Sequence, residues 1–313
     1  MNTVRIGVAI AAAVAVLTTS FFLCAQQASS ENARTQPVEI EIRNVNFRID
    51  QSIVLEIRRL RGEMVPTSAS EPASFDDKNS FVTRIVSAEI AISTQSMSDL
   101  LNRYAFAYPD APLKNLVLTA EKGRIRQKGT IHKGVDLPFE ATGSLDTTTE
   151  GQVRFHVDKI RSAHLPVKGL LHLFGEDLSR LVNLKKDRGI TIDGDDILMD
   201  VNRLIPPPRI EGKVTSVRVE GNRIVQTFGS WPAKPLSPPY RARNYIYHHG
   251  GVLRFGKLTM TDSDLEIVDQ SPRTPFEFSL AEYNRQLVAG YSKNTPSHGL
   301  IVFMPDLSSL GRR

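Results

Sequence analysis

The stretch Val38–Ile49, "VEIEIRNVNFRI", sets the fold through its alternation. Val38, Ile40 and Ile42 fall on one face of a chain with the two-residue period of a β-strand. The apolar set then slips one place, to Val45, Phe47 and Ile49. A slip inside a single run predicts a β-bulge near Asn44, and a bulge bends its strand. The neighbouring sequence continues in the same style. "SIVLEIRRLRGEMV" and "FVTRIVSAEIAIS" read as strands on either side of a loop at 66–80 rich in Ser, Pro and Asp. Further strand-like runs lie near 113–121, 124–133, 135–145 and 151–160. "GITIDGDDILMDV" follows, then runs at 210–219 and 223–229 joined by "EGN", at 243–256 and 258–268, and a last "GLIVFMP".

Three segments break this alternation. In "STQSMSDLLNRYAF" Met97, Leu100, Leu101 and Tyr104 recur at helical spacing, and Ser96 with Asp99 resembles a capping box. From His164, "HLPVKGLLHLFGEDLSRLVNLKK" places Val167, Leu170, Leu171, Phe174, Leu178, Leu181 and Val182 on one broad stripe, with Gly189 as terminator. Ser279 and Glu282 form a second capping box, opening a short helix in "SLAEYNRQLVAG". Helices inserted into strand runs, rather than alternating with them, predict an α+β fold on a mainly antiparallel sheet. "SWPAKPLSPPY", 230–240, carries four prolines and reads as an extended crossing.

At the N-terminus Arg5 precedes a charge-free run from Ile6 to Ala25, so 1–25 reads as a signal peptide or an N-terminal membrane anchor. Residues 26–36 form a polar linker, 37–230 the main α+β domain, and 231–313 a C-terminal extension of strands plus a short helix packed on it. The single cysteine, Cys24, lies in the leader, and the bulky Leu23 before it argues against lipidation. Cleavage after Ala25 leaves a chain without a thiol, which excludes a disulfide framework or a cysteine metal site. A net charge of +5 on 313 residues favours anionic surfaces but falls short of a nucleic-acid-binding composition.

Chemistry is mostly absent. The chain has no nucleophile elbow, phosphate loop, zinc helix or Ser/His/Asp arrangement, so no enzyme, cofactor or metal is expected. His164 and His172 sit about 12 Å apart along a helix and roughly 80° apart around it, too far to share an ion. His248 and His249 are adjacent and point to opposite faces of a strand, which leaves surface or locally hydrogen-bonded histidines. "TIDGDD", 191–196, lacks the order and closing Glu of a calcium loop and reads as a turn. Lys122, Arg124, Arg126 and Lys128 alternate, so a strand would project all four from one face. Such a stripe suits lipid headgroups, though a solvated face paired with carboxylates explains it too. Lys185 and Lys186 end the second helix in the same ambiguity, and that helix's spacing alone favours covering a core.

From about Ser93 to Phe228 the order of elements resembles the LmeA-type phospholipid-binding proteins of bacterial envelopes. The resemblance is carried by "STQSMSDLLNRY", "EKGRIRQKGTIHKGVDLPFEATGSL", "KIRSAHLPVKGLLHLFGEDLSRLV" and "ITIDGDDILMDVNRLIPPPRIEGKVTSVRVEGNRIV". It implies a tubular lipid-binding-like fold, a long curved mainly antiparallel sheet wrapping two amphipathic helices around an apolar groove. It further implies an exported, non-catalytic protein of the periplasm or cell envelope. That protein would bind phospholipid or another acyl lipid at a membrane surface, in support of lipid transfer or envelope lipid assembly. On that resemblance the lipid contacts are Met97, Leu100 and Leu101 on the first helix, and Leu165, Val167, Leu170, Leu171, Phe174 and Leu178 on the second. Residues Tyr240–Arg313 have no counterpart in the resemblance. The alternative function is a structural or scaffolding envelope protein with a filled core and no lipid.

Overall fold

A computed structural model of the chain describes residues 36–132, 136–162, 188–230 and 233–311. The leader run Ile6–Ala25 and the second helix, with Leu165, Val167, Leu170, Leu171, Phe174, Leu178, Lys185 and Lys186, lie outside the described residues.

The bend read from Val38–Ile49 lies where the alternation slips. Strand β1 (Val38–Arg48) pairs along its length with β2 (Val54–Pro66), and Asn44 between them has φ 58°. Asparagine tolerates this left-handed conformation better than most residues, because its short amide can bond locally. β1 and β2 keep one register on both sides of Asn44, from Arg43↔Arg59 to Val45↔Ile57. The irregularity appears one strand further on, where β2 meets β4 (Phe81–Ser93) with a shift between Ile57 and Arg59. Both β1 and β2 therefore change face together, and the sheet bends across three strands. A second shift, at Arg61/Gly62, needs glycine: a Cβ at Gly62 would sit 2.4 Å from the Arg84 carbonyl oxygen.

The first sheet extends outward from this pair. Its order is β12 (Val214–Glu220), β13 (Arg223–Gly229), β4, β2, β1, β14 (Tyr245–Phe255), β15 (Leu258–Asp269), β18 (Leu300–Met304) and β17 (Tyr291–Asn294). Short strands β3 (Ala73–Ser74), β11 (Arg209–Glu211) and β16 (Phe276–Phe278) join β14, β4 and β1 in parallel. Most other pairings are antiparallel, β15 with β18 being the exception. The segment after 231 thus supplies strands to the same sheet, through β14 beside β1.

A second sheet is antiparallel throughout, in the order β5 (Leu113–Glu121), β6 (Arg124–His132), β7 (Asp136–Thr147), β8 (Val153–Arg161), β10 (Asp196–Met199) and β9 (Ile190–Asp193). "TIDGDD" is the β9–β10 turn, with Gly194 at φ 55°. The amide of Val214 donates to the Gly151 carbonyl at 3.2 Å and ties the two sheets together. Both sheets are open rather than closed into a barrel.

The described helices are short. Helix α1 (Thr94–Leu100) continues into a π turn at Leu101–Ala105. Its cap is Ser93, whose hydroxyl accepts from the Ser96 amide at 3.0 Å, and not the Ser96/Asp99 box expected from sequence. Ser96 is used elsewhere: its hydroxyl donates to the Ser52 carbonyl at 3.0 Å and fastens α1 to the loop before β2. Helix α2 (Val201–Leu204) precedes the proline run and was not read from the sequence. Helix α3 (Tyr283–Val288) forms where "SLAEYNRQLVAG" predicts it, but without a side-chain cap. The amide of Ser279 instead donates to Oε1 of Gln286, and Glu282 pairs with Arg285 at 2.9 Å.

The outer face of the first sheet carries charge. Arg58 bridges Glu89 and Glu220 at 2.8 and 2.6 Å, and Arg59 also reaches Glu89. The proline-rich crossing lies over this face further along, held by two buried glutamates. Glu41 accepts from the Leu236 amide at 2.6 Å, and Glu266 accepts from the Tyr240 amide at 2.6 Å. Beneath the crossing, Val268, Ile301 and Phe303 form a small apolar cluster with Ala242. The main core faces the other way, between the two sheets.

Candidate functional site

The inward faces of the two sheets pack into one core that leaves small cavities. Between them the apolar lining runs through three linked spaces. The first lies between the second sheet and α1, a cavity of about 40 Å³, and is lined by Met97, Leu101, Leu118, Ile125, Phe155 and Met199 among others. The middle space, a cavity of about 20 Å³, shares Met97, Val201, Leu204 and Gln226 with the first. The third, a cavity of about 90 Å³, shares Leu55, Ile90, Ile205 and Ile210 with the middle one. It lies under the bent strands, between Ile40, Ile57 and Ile246 on the sheet and Pro206 and Pro208 on the chain after α2.

The bend at Asn44 and the bulges of β2 and β4 shape this channel. They turn Ile40, Ile42, Leu55, Ile57 and Leu60 onto one concave surface, while Arg58 and Arg59 leave on the other. Met97, Leu100 and Leu101 are buried to 4%, 1% and 3% exposure. Met97 and Leu101 line the first space, and Met97 and Leu100 the middle one. All three sequence candidates on the first helix thus lie against the channel.

At its β1 end the channel opens into a polar rim. Phe47, Ile49, Phe75, Pro206, Pro208 and Leu280 line both the third space and a rim cleft, where Arg48, Asp76, Asp77, Lys78 and Tyr104 join them. Asp76 accepts from the Tyr283 hydroxyl at 2.5 Å and from Nδ2 of Asn284 at 3.2 Å. Burial and this carboxylate push the Tyr283 hydroxyl up to about 12, so it remains a donor. Tyr104 donates to Asp50 at 3.0 Å. Burial opposes charge on Asp50, but the amides of Ser52 and Ile53 with the Tyr104 hydroxyl outweigh it and hold the carboxyl below its usual range. The rim thus carries both signs of charge on a preset frame.

One polar side chain of the third space is read from the sequence as a surface or locally bonded histidine. His248 is 1% exposed, and its Nδ1 has no hydrogen-bond partner. The expectation of a surface or locally bonded histidine is therefore corrected for this residue. It holds for His132 and His156, exposed beside Asp136 and Asp196 at 2.6 and 2.7 Å. Desolvation lowers the His248 imidazole to about 3, with a backbone hydrogen bond at Leu265 acting weakly the other way, so the ring is neutral. The signal was present in "YIYHHGG": the two-residue period puts His248 on the same face as the buried Ile246.

The basic stripe has a different setting. Arg124, Arg126 and Lys128 leave the outward face of β6, whereas Lys122 lies in the preceding turn at φ 51° and off the strand. Arg124 pairs with Asp158, Arg126 with Glu121 at 2.6 Å and Glu140 at 3.6 Å, and Lys128 with Glu140 at 3.5 Å. None of Arg124, Arg126 and Lys128 lines the rim cleft, and each is matched by a carboxylate.

Among the described residues no three His, Cys, Asp or Glu side chains are grouped to hold a metal ion. Nor is any described helix long and apolar enough to cross a membrane. Compared with known proteins, the chain matches no family model, no curated protein and no solved structure.

Proposed function

We propose that the protein binds an acyl lipid in the channel between its two sheets, without catalysis, as an exported protein of the cell envelope. The observation that carries this reading is the continuity of the apolar lining from Met97 and Leu101, through Leu204 and Ile205, to Ile40 and Phe75. A discrete core has no need of such a run ending at a polar rim. An amphiphile does, because its chain is transferred from water at about 0.8 kcal/mol per buried CH₂ while its head stays wet. The rim at Arg48, Asp76, Asp77 and Lys78 supplies the wet end, and its mixed charge suits a zwitterionic or anionic phospholipid head. The resemblance to LmeA-type proteins and the tubular lipid-binding fold it implies favour the same reading, as does the apolar leader-like run before Ala25.

Mass spectrometry of organic extracts from the purified protein tests this directly. Phospholipid at near-stoichiometric amounts, or its uptake by delipidated protein from phosphatidylethanolamine/phosphatidylglycerol vesicles, is the expected result. Protein that carries none and acquires none overturns the proposal and leaves a scaffolding role with a filled core.

A further inference from the structure

Around the third space every side chain is apolar except Thr83 and His248. A buried polar atom without a partner costs roughly as much as a lost hydrogen bond or more, so such atoms are scarce in folded proteins. Nδ1 of His248 is one, on a ring 1% exposed. Leucine or phenylalanine at this place would continue the lining of Ile40, Ile246 and Phe278 and leave nothing unpaired.

Its position along the channel is informative. The Phe75 ring packs edge-on against His248 at 5.3 Å and against Tyr283 at 5.3 Å, and Phe75 lines both the third space and the rim cleft. His248 therefore lies one aromatic ring inside the rim, and not at the far end beside α1. A lipid with its head at the rim and its chain running inward presents its acyl–head junction at this depth. That junction holds uncharged hydrogen-bonding groups, ester carbonyls or a free glycerol hydroxyl. A charged phosphate is unsuited to this point, because the described lining offers no cation there and the imidazole is neutral.

We infer that Nδ1 of His248 is the buried anchor for the uncharged polar junction of a bound glycerolipid, fixing the lipid head-outward at the rim. The inference rests on the lipid-binding reading above and adds the class of ligand, its direction and a buried polar contact near the rim. A neutral histidine keeps one nitrogen as donor and one as acceptor; with the ring N–H turned to the Leu265 carbonyl, Nδ1 is the acceptor and takes a lipid hydroxyl.

The test uses full-length protein, delipidated and offered dioleoyl phosphatidylethanolamine/phosphatidylglycerol vesicles, 1-monooleoylglycerol, or octadecane as a head-free control. Wild type, His248→Leu and His248→Asn are compared, the asparagine amide keeping a polar atom near Nδ1. Binding of 1-monooleoylglycerol is expected to weaken about five- to tenfold in His248→Leu and to recover in His248→Asn, with octadecane binding undiminished. The ¹⁵N resonance of His248 Nδ1 is expected to move when lipid is loaded, in the direction of a lone-pair acceptor. A melting temperature for His248→Leu at or above wild type confirms that the variant folds. Equal 1-monooleoylglycerol affinities and an unmoved ¹⁵N resonance, as when water serves Nδ1, overturn the anchor while lipid binding stands. Failure of wild type to take up either glycerolipid overturns both.

Discussion

Asn44 and Asn244 meet across 200 residues of sequence, the amide of Asn44 donating to Oδ1 of Asn244 at 3.0 Å. Asn244 is fully buried, and its own amide donates to Oδ2 of Asp269 at 2.8 Å and to the Thr274 carbonyl at 2.5 Å. The bond lies where β1 exchanges one neighbour for another, β14 up to Arg43 and β16 from Val45. It thus secures the bend to the C-terminal strands at the one place where the ladder is interrupted.

Substitutions at Asn44 should separate two contributions. Asn44→Gly keeps the φ of 58° and loses only the amide bond, at a cost of about 1 kcal/mol. Asn44→Val also forces a β-branched residue into the left-handed region and should cost about 2–3 kcal/mol. Urea unfolding of the two variants measures the difference; equal costs would mean that the backbone at Asn44 carries no strain for other residues.

Acid should weaken the fold through His248. Its imidazole is lowered from 6.5 to about 3, so the folded state holds fewer protons than the unfolded chain between these values. The contribution is complete above pH 6.5 and is lost as pH falls through about 3, at about 1.4 kcal/mol per unit in between. His248→Leu should flatten the stability profile over that window. Parallel profiles for the variant and wild type from calorimetry would show that other groups control acid unfolding.

The crossing over the outer face depends on two glutamates of different character. Glu41 receives the Leu236 amide, the Tyr245 hydroxyl at 2.8 Å and Arg43 at 3.0 Å. Glu41→Ala leaves those donors unpaired and should cost about 3 kcal/mol, with early proteolysis at 233–243.

For Glu266, burial raises the carboxyl, and the amides of Tyr240 and Ala242 oppose that rise. A raised folded value gives a contribution complete below the ordinary 4.5 and lost as pH increases through the folded value. Glu266→Gln keeps an acceptor without the charge. It should therefore match or exceed wild-type stability at pH 7, and a clear loss in thermal melts there would contradict this assignment.

The channel itself can be blocked from α1. Met97 lines the first and middle spaces, so Met97→Trp places a large apolar ring where they join. Lipid uptake from vesicles should fall by tenfold or more, with at most about 1–3 kcal/mol of overpacking cost. A variant that loads lipid like wild type would place the bound chain elsewhere.

The alternation of Val38, Ile40 and Ile42, its slip at Asn44, and most long strands were legible because period-2 patterning reflects burial of one face. The short strands β3, β11 and β16 were not, since two or three residues carry no period. Ser96 looked like a cap because it precedes an acid by three residues; tertiary contact with Ser52 claimed its hydroxyl, and Ser93 took the capping role. The candidates Met97, Leu100 and Leu101 were visible from helical spacing. The rim residues Arg48, Asp76, Asp77 and Lys78 were not, because the end of β1 and the loop after β3 meet only in the folded chain.

By itself the sequence determined which faces of its strands are apolar, where β1 bends, and that no familiar catalytic signature is present, because local pattern and residue chemistry suffice for each. Tertiary structure decided that the apolar faces of two sheets leave a row of neighbouring cavities between them, and that His248 lines the third. Those outcomes depend on which strands pair, and pairing between residues as distant as Ile40 and His248 has no local signature.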